Sequence, residues 1–150
     1  MTKISEWQEI IFHNPLYIGL LIITMWIVVL ISVSKITGWS RLAEKYRTWD
    51  KPESNIMRAV RAYWGSVMIT GNIYTIACNS KGMYLGVLFP FRLAHPPLLI
   101  PWHDIKTSRI KGLLNRRVRM VFGDNLSRPF EVFESTAVKI EKCSHGKFSY

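Results

Sequence analysis

An uncharged apolar segment near the N-terminus places the strongest constraint on this chain. Residues 10–34 contain no Lys, Arg, Asp or Glu, and residues 16–33 are mainly Leu, Ile, Val, Trp and Met. An α-helix needs about 20 apolar residues to cross the roughly 30 Å hydrocarbon core of a bilayer. We therefore predict a transmembrane helix over residues 10–36, preceded by an extracytoplasmic tail of residues 1–9.

Two other interpretations of this segment fit less well. A cleaved signal peptide has an apolar core of about 7–15 residues and a cleavage site of small residues. Here the core is longer, and Lys35 directly follows Ser32-Val33-Ser34. A buried helix of a soluble core would carry polar residues along one face, yet only Thr24 and Ser32 interrupt the run.

The charges on the two sides of the segment predict its orientation. One cation, Lys3, precedes it, and seven cations follow between residues 35 and 61. Cytoplasmic flanks of a membrane span carry the excess of Lys and Arg. We therefore predict a single pass through the cytoplasmic (inner) membrane with the C-terminal domain in the cytoplasm. In that compartment we expect Cys78 and Cys143, which lack a CxxC spacing, to stay reduced.

Residues 37–62 form the next predicted unit, an amphipathic juxtamembrane helix and a polar linker. Aromatic and apolar positions recur there at helical spacing, with cations elsewhere on the wheel. The helix can lie in the membrane interface, with its rings at headgroup depth, or its apolar stripe can pack on the domain that follows. The candidate membrane-interface residues are Trp39, Arg41, Leu42, Lys45 and Tyr46.

Residues 63–150 form one predicted domain of short strands and a closing helix. Segments rich in β-branched and aromatic residues alternate with turns, one of which we place at Gly71-Asn72. A final helix begins near Ser135. The predicted fold class is thus a transmembrane α-helix plus a small α+β domain, an antiparallel sandwich or barrel of about six or seven strands closed by a C-terminal helix. We expect residues 62–145 to fold without the span.

Three segments of this domain carry a family resemblance. They read Ile-Tyr-Thr-Ile at 73–76, Lys-Gly-Met-Tyr-Leu at 81–85 and Leu-Ile-Pro-Trp-His-Asp-Ile at 99–105. Together with the closing strand and helix, they resemble the pleckstrin-homology-like (PH-like) and GRAM-like domains of small single-span bacterial membrane proteins. The resemblance implies a PH-like fold. Such folds host lipid binding, protein binding and scaffolding, so the fold alone does not select a function.

A basic run between residues 106 and 119 is the strongest candidate for a binding site. Two strands that meet at the loop of residues 112–115 would cluster its cations, and arginine can bind a phosphate through two parallel hydrogen bonds. The apolar tip, Leu113-Leu114, could enter the membrane interface. The alternative is a solvated hairpin whose charges prevent edge-to-edge pairing. The candidate anionic-ligand-binding residues are Lys106, Arg109, Lys111, Arg116, Arg117 and Arg119.

No motif in the chain points to catalysis, a metal or a cofactor. His95 and His103 lie outside any HExxH or CxxC pattern, so we expect loop-packing roles for them and no metal site. The chain has no nucleophile motif or glycine-rich phosphate loop. We therefore expect a non-enzyme without a cofactor.

Two functions remain open from the sequence. The first is a membrane-anchored binding module whose basic domain, in a protein of net charge +10, engages anionic lipid headgroups or an acidic protein surface. The second is an accessory or assembly subunit of a larger membrane complex. It would contact partner proteins through Trp26 and the Ile/Val faces of the span, or through the apolar strands. Nucleic acid is not an expected partner, because aromatic residues are not interleaved with the basic run.

Overall fold

A computed structural model describes residues 14–50, 52, 55–65, 67–111 and 116–150. The predicted tail of residues 1–9, the start of the predicted span and the loop tip Leu113-Leu114 lie outside this set. In chain order the described elements are α1 (Pro15–Thr37), α2 (Trp39–Tyr46), β1 (Met57–Trp64), β2 (Val67–Cys78), β3 (Gly82–Val87), a first 3₁₀ helix (Phe91–Ala94), β4 (Leu98–Pro101), a second 3₁₀ helix (Trp102–Asp104), β5 (Ile105–Lys111), β6 (Arg116–Phe122), β7 (Phe130–Phe133) and α3 (Glu134–Cys143).

The first helix has the length and composition of a membrane span. It contains 23 residues, enough to cross a bilayer, and an 18-residue window within it has a mean hydropathy of 2.7. Asn14 caps its N-terminus, because the side-chain oxygen accepts a hydrogen bond from the amide of Leu16 at 3.0 Å. Pro15 follows in the first turn, where its missing N–H has no partner to lose.

The last two turns of α1 belong to the folded domain. Leu30, Ser34 and Thr37 are spaced by four and three residues and are buried along one face of the helix. The indole N–H of Trp64 donates to the carbonyl of Thr37 at 2.7 Å, and the amide of Arg128 donates to the same oxygen at 3.0 Å. These bonds join the end of α1 to the sheet and its loops.

Gly38 turns the chain sharply between α1 and α2. Its φ of +84° lies in the left-handed region, which glycine adopts at little cost. A Cβ atom at this position would lie 2.7 Å from the Cα of Ser127 and 2.8 Å from the carbonyl oxygen of Leu126. The turn therefore requires glycine for its backbone conformation and for the close approach of a neighbouring loop.

The predicted amphipathic helix is present as α2, and its apolar face points into the core. Trp39, Leu42 and Tyr46 are at most 5% exposed. Of the two alternatives for this stripe, packing on the domain is the one observed, so these three side chains are not available to a membrane interface. Arg41 and Lys45 are exposed on the other side.

All seven strands that the structure describes form one antiparallel sheet. Their order is β4-β3-β2-β1-β7-β6-β5, and the sheet curls into a half-barrel. α3 packs on this sheet through Ala137 and Ile140, which are fully buried. The prediction of an antiparallel sheet closed by a C-terminal helix is thus confirmed.

The first hairpin differs from the sequence prediction. β1 begins at Met57, six residues before the expected start of the strands. The expected turn at Gly71-Asn72 is wrong, because both residues lie inside β2, paired with Ala62 and Arg61 of β1. The chain instead turns at Gly65, which has a φ of +63°.

The two cysteines also differ from expectation. Cys78 and Cys143 form a disulfide that links the end of β2 to the end of α3, with their Cα atoms 5.8 Å apart. That separation lies within the usual range for a disulfide. The expectation of reduced thiols therefore differs from this structure, and in a cytoplasmic domain the same pair would be held as neighbouring thiols. The expectation rested on the predicted compartment, whereas the fold brings together two residues 65 positions apart.

Candidate functional site

The predicted basic cluster lies on the β5–β6 hairpin, but its cations are divided between two faces. Residues that pair directly across antiparallel strands point to the same side of the sheet. Arg109 pairs with Val118, and Lys111 pairs with Arg116, on the side that faces the core. Lys106, Arg117 and Arg119 occupy the alternate positions. The six cations therefore do not form one surface.

Two arginines of the run hold a buried carboxylate. Arg119 donates through Nε and Nη2 to Oε1 of Glu131 at 3.1 and 3.0 Å, and Arg117 donates to Oε2 at 3.1 Å. Glu131 is 8% exposed. The Arg117 guanidinium also lies 5.0 Å from the ring centroid of Tyr63. These contacts give both arginines a structural role, because a buried carboxylate requires compensating donors.

Three further cations of the run have partners nearby. Nζ of Lys106 lies 3.9 Å from Asp124, and Nη1 of Arg116 lies 4.0 Å from Glu134. Nε of Arg109 donates to the carbonyl of Tyr150 at 3.1 Å. The run contains no acid in the sequence, but the fold places acids beside it. The role of the basic run as an anion-binding site remains a prediction. The structure weakens it, because most of these cations already have partners within the protein.

A larger concave surface lies elsewhere, between the α1–α2 corner and the first 3₁₀ helix. This groove has a volume of about 1040 Å³ and is open on one side. Three arginines line it, from three different parts of the chain: Arg47, Arg58 and Arg92. Glu44 and Asp50 also line it, so the charged lining residues that the structure describes sum to a net charge of about +1. We call it the arginine groove.

Local contacts position two of these arginines. Arg47 follows α2 and pairs through its backbone with Leu98 of β4, and its guanidinium lies 4.3 Å from the ring centroid of Trp49. Arg92 is held by a hydrogen bond from Nε to the carbonyl of Val87 at 3.0 Å. Both guanidinium groups are therefore arranged by the fold before any ligand is present.

Exposed apolar side chains form one rim of the arginine groove. Phe89 is 84% exposed and Leu93 is 69% exposed, on the connection that includes the first 3₁₀ helix. That helix contacts α1, since the rings of Phe91 and Trp26 lie 5.5 Å apart. The uncharged run ends at Ser34. Trp26 lies eight residues earlier, which is about 12 Å along the helix. Along the axis of α1, the apolar rim therefore lies beside the uncharged, apolar part of the helix.

Two titratable side chains near α2 have clear structural roles. Tyr46 donates to Asp104 at 2.6 Å, and Lys45 lies 3.2 Å from the same oxygen. These two contacts, the hydrogen bond from Tyr46 above all, lower the pKa of Asp104. His95 is buried beside Trp39, and burial lowers its pKa. Both groups connect elements of the fold.

The histidines do not mark a metal site in the part of the chain that the structure describes. No group of three or more His, Cys, Asp or Glu side chains is close enough there to hold an ion. The expected loop-packing role fits His95, whose Nδ1 lies 3.1 Å from the carbonyl of Phe91. His103 is exposed beside Asp104.

No protein-family model, curated protein or solved structure matches this chain. The PH-like resemblance therefore remains an interpretation of the sequence. The residues of the arginine groove were not among the predicted site residues. One sequence feature could have pointed to them: the connection after β3 contains Leu88, Phe89, Phe91 and Leu93 around Arg92, an apolar composition that is unusual for a surface loop.

Proposed function

We propose that this chain is a membrane-anchored, non-catalytic module whose arginine groove binds the phosphate of an anionic lipid headgroup at the cytoplasmic face of the inner membrane. The observation that carries the proposal is the position of the groove. Three arginines lie beside an exposed apolar rim, and that rim is level with the apolar helix α1.

The packing of α1 supports a retained membrane anchor. A signal peptide is removed from the mature protein. Cleavage after Ser34, the site considered from the sequence, would take away Leu30 and Ser34, which are buried in the domain. It would also leave Thr37, whose carbonyl accepts the hydrogen bond from Trp64, as the third residue of a new N-terminus. The domain is therefore built to keep the end of α1.

The apolar rim supports contact between the domain and the membrane. If the uncharged run lies in the bilayer, then Trp26 lies within the hydrocarbon core, and Phe91 beside it does too. Phe89 and Leu93 would then be in lipid, which explains their high exposure. Arg92, between them, can extend its guanidinium to the headgroup level while its stem remains in apolar surroundings.

The charge of the arginine groove suits a single phosphate group. Arginine binds phosphate oxygens through a planar set of donors. Each cation near an anionic membrane surface contributes about 1 kcal/mol. Glu44 and Asp50 in the same groove oppose the binding of a highly charged ligand such as a polyphosphate. A phospholipid headgroup therefore fits better than a multiply phosphorylated one.

Lipid competition on the full chain tests this proposal. We would incubate the protein in mild detergent with equal amounts of phosphatidylglycerol and phosphatidylcholine and count bound lipids by native mass spectrometry. The parent should prefer phosphatidylglycerol. In the triple variant Arg47→Gln, Arg58→Gln, Arg92→Gln, the ratio of bound phosphatidylglycerol to bound phosphatidylcholine should fall at least about tenfold. Three cations contribute about 3 kcal/mol to binding an anionic surface, and the loss of conformational freedom on binding offsets part of this.

A matched variant controls for net charge. Lys81→Gln, Lys139→Gln and Lys142→Gln remove three exposed cations outside the arginine groove and should keep the preference. Equal lipid preference in the groove variant and the parent would contradict the proposal. A stoichiometric protein bound to the parent and lost from the groove variant would instead favour an acidic protein surface or an accessory-subunit role.

A further inference from the structure

A second, smaller cavity lies between α1 and the sheet, and the first 3₁₀ helix forms one of its walls. Its volume is about 190 Å³. The α1 side is lined by Trp26, Val29 and Val33. The opposite side is formed by Ile73 of β2 and Val87 of β3. The cavity therefore separates the predicted span from the strands of the domain.

Four polar groups around this cavity bond to the protein itself. The hydroxyl of Thr37 donates to a carbonyl within α1 at 2.8 Å. The indole N–H of Trp64 donates to the carbonyl of Thr37 at 2.7 Å, and that of Trp39 donates to the carbonyl of Pro96 at 2.9 Å. Nδ1 of His95 lies 3.1 Å from a carbonyl of the first 3₁₀ helix. The donors of Thr37, Trp39 and Trp64 are therefore not free to hold a water molecule inside.

The cavity borders the surface of α1 at acyl-chain depth. Trp26 and Val29 line it and are also 39% and 49% exposed on the helix surface. Both belong to the uncharged run of residues 10–34. A lipid chain beside α1 is therefore close to the cavity without crossing a polar layer.

We propose that this cavity holds the end of one acyl chain of a membrane lipid. The proposal rests on the membrane anchoring in the proposed function and is independent of the arginine groove. An apolar cavity of about 150 Å³ stays dry and binds benzene, so 190 Å³ is sufficient for about six chain carbons. A chain would supply the dispersion contacts that the lining atoms otherwise lack.

Photolabelling from the lipid tests the proposal on the full chain. We would place the protein in nanodiscs of phosphatidylcholine with a diazirine near the methyl end of one chain, and then map labelled residues by mass spectrometry. This zwitterionic lipid makes the result independent of anionic-headgroup preference. We expect label on Val87, which is 2% exposed and cannot be reached by a chain that stays in the bilayer. Label confined to the outer surface of α1 would overturn the proposal.

Paired substitutions in α1 locate the labelling. Val33→Phe places a larger side chain in the cavity and should reduce the label on Val87 at least fivefold. Val28→Phe is the matched control, because Val28 is 56% exposed and does not line the cavity, and it should leave the label unchanged. Val29→Phe is a second blocking variant if Val33→Phe perturbs the fold. Unchanged label in both blocking variants would overturn the proposal.

The outcome can be separated from that of the headgroup experiment. A groove variant limited to Arg47→Gln and Arg58→Gln, which keeps the hydrogen bond from Arg92 to Val87, should retain the label on Val87. If the acyl chain labels Val87 but the protein shows no headgroup preference, the acyl-chain proposal is supported and the headgroup proposal is contradicted.

Discussion

At the scale of single residues, partners from distant parts of the chain decide what a charged side chain does. Arg117 and Arg119 belong to the most basic stretch of the sequence, yet both hold Glu131 on the adjacent strand. Arg92 stands alone in an apolar connection, yet it lines the arginine groove together with two arginines from other parts of the chain. A local count of cations therefore does not identify the binding surface.

The buried histidine predicts a pH dependence of stability. Burial lowers the pKa of His95 below its ordinary value of 6.5. Between the lowered value and 6.5 the unfolded chain therefore binds more protons at this residue than the folded chain does. The stabilising contribution is complete above about pH 6.5 and is lost as the pH falls through the folded pKa. We expect the free energy of unfolding of the parent to decrease from pH 7.5 to pH 5.

Two histidine variants test whether His95 causes this pH dependence. His95→Gln cannot titrate, so its free energy of unfolding should change less with pH than that of the parent in urea titrations monitored by tryptophan fluorescence. His145→Gln, at an exposed position, should follow the parent. If His95→Gln and the parent show the same pH slope, then His95 is not the group responsible.

At the scale of elements, the corner between α1 and α2 connects the predicted span to the core. Trp39, the first residue of α2, is 1% exposed and donates its indole N–H to the connection before β4. Thr37, the last residue of α1, accepts a hydrogen bond from Trp64 of β1. Any change in the direction of this corner would therefore move both helices relative to the sheet.

Substitution of the corner glycine should destabilise the protein. In Gly38→Ala, the residue would have to keep a φ of +84°, and the new Cβ would lie 2.7 Å from the Cα of Ser127. The backbone conformation alone costs roughly 1–2 kcal/mol in a non-glycine residue, and the contact adds to it. We expect a loss of at least about 2 kcal/mol in the free energy of unfolding, measured by urea titration in detergent.

A second glycine supplies the control for this measurement. Gly19 lies within α1, and no atom lies within 4 Å of the Cβ that alanine would add there. Alanine also has the higher helix propensity, so Gly19→Ala should be neutral or stabilising. Similar stabilities for the two alanine variants would mean that the α1–α2 corner is more tolerant than its geometry implies.

At the scale of the whole molecule, we expect the end of the predicted span and the domain to fold as one unit. Trp39, Leu42 and Tyr46 of α2 belong to the same buried core as the sheet, and the last two turns of α1 also contain buried residues. The expectation that residues 62–145 fold without the span stays a prediction, and the packing argues against it because that fragment lacks β1 in part and α2 completely. A boundary at residue 63 would divide a continuous core.

Two fragments test this single folding unit. Residues 55–150 lack Trp39, Leu42 and Tyr46, and the burial of each such side chain contributes about 1.5–3 kcal/mol. Their sum of roughly 5–9 kcal/mol approaches the 5–15 kcal/mol by which most domains are stable. We expect poorly dispersed amide NMR signals for residues 55–150 and well-dispersed signals for residues 28–150 in detergent. A dispersed spectrum from the shorter fragment would show that α2 is dispensable.

Much of the secondary structure could be predicted because it depends on local patterns. The alternation of Val118, Met120 and Phe122 with arginines predicts a half-buried strand, and these three residues are indeed buried on β6. The turn at Gly71-Asn72 could not be excluded locally, since that dipeptide favours hairpins. Pairing with β1 kept both residues within a strand.

The sequence by itself determined the apolar helix, the antiparallel strands and the closing helix, because these depend on the spacing of apolar residues within a few positions of one another. Only the tertiary structure decided that the face of Trp39, Leu42 and Tyr46 is buried, that Cys78 meets Cys143, and that three separated arginines line one groove. Each of these depends on contacts between residues far apart in the chain, which local periodicity does not encode.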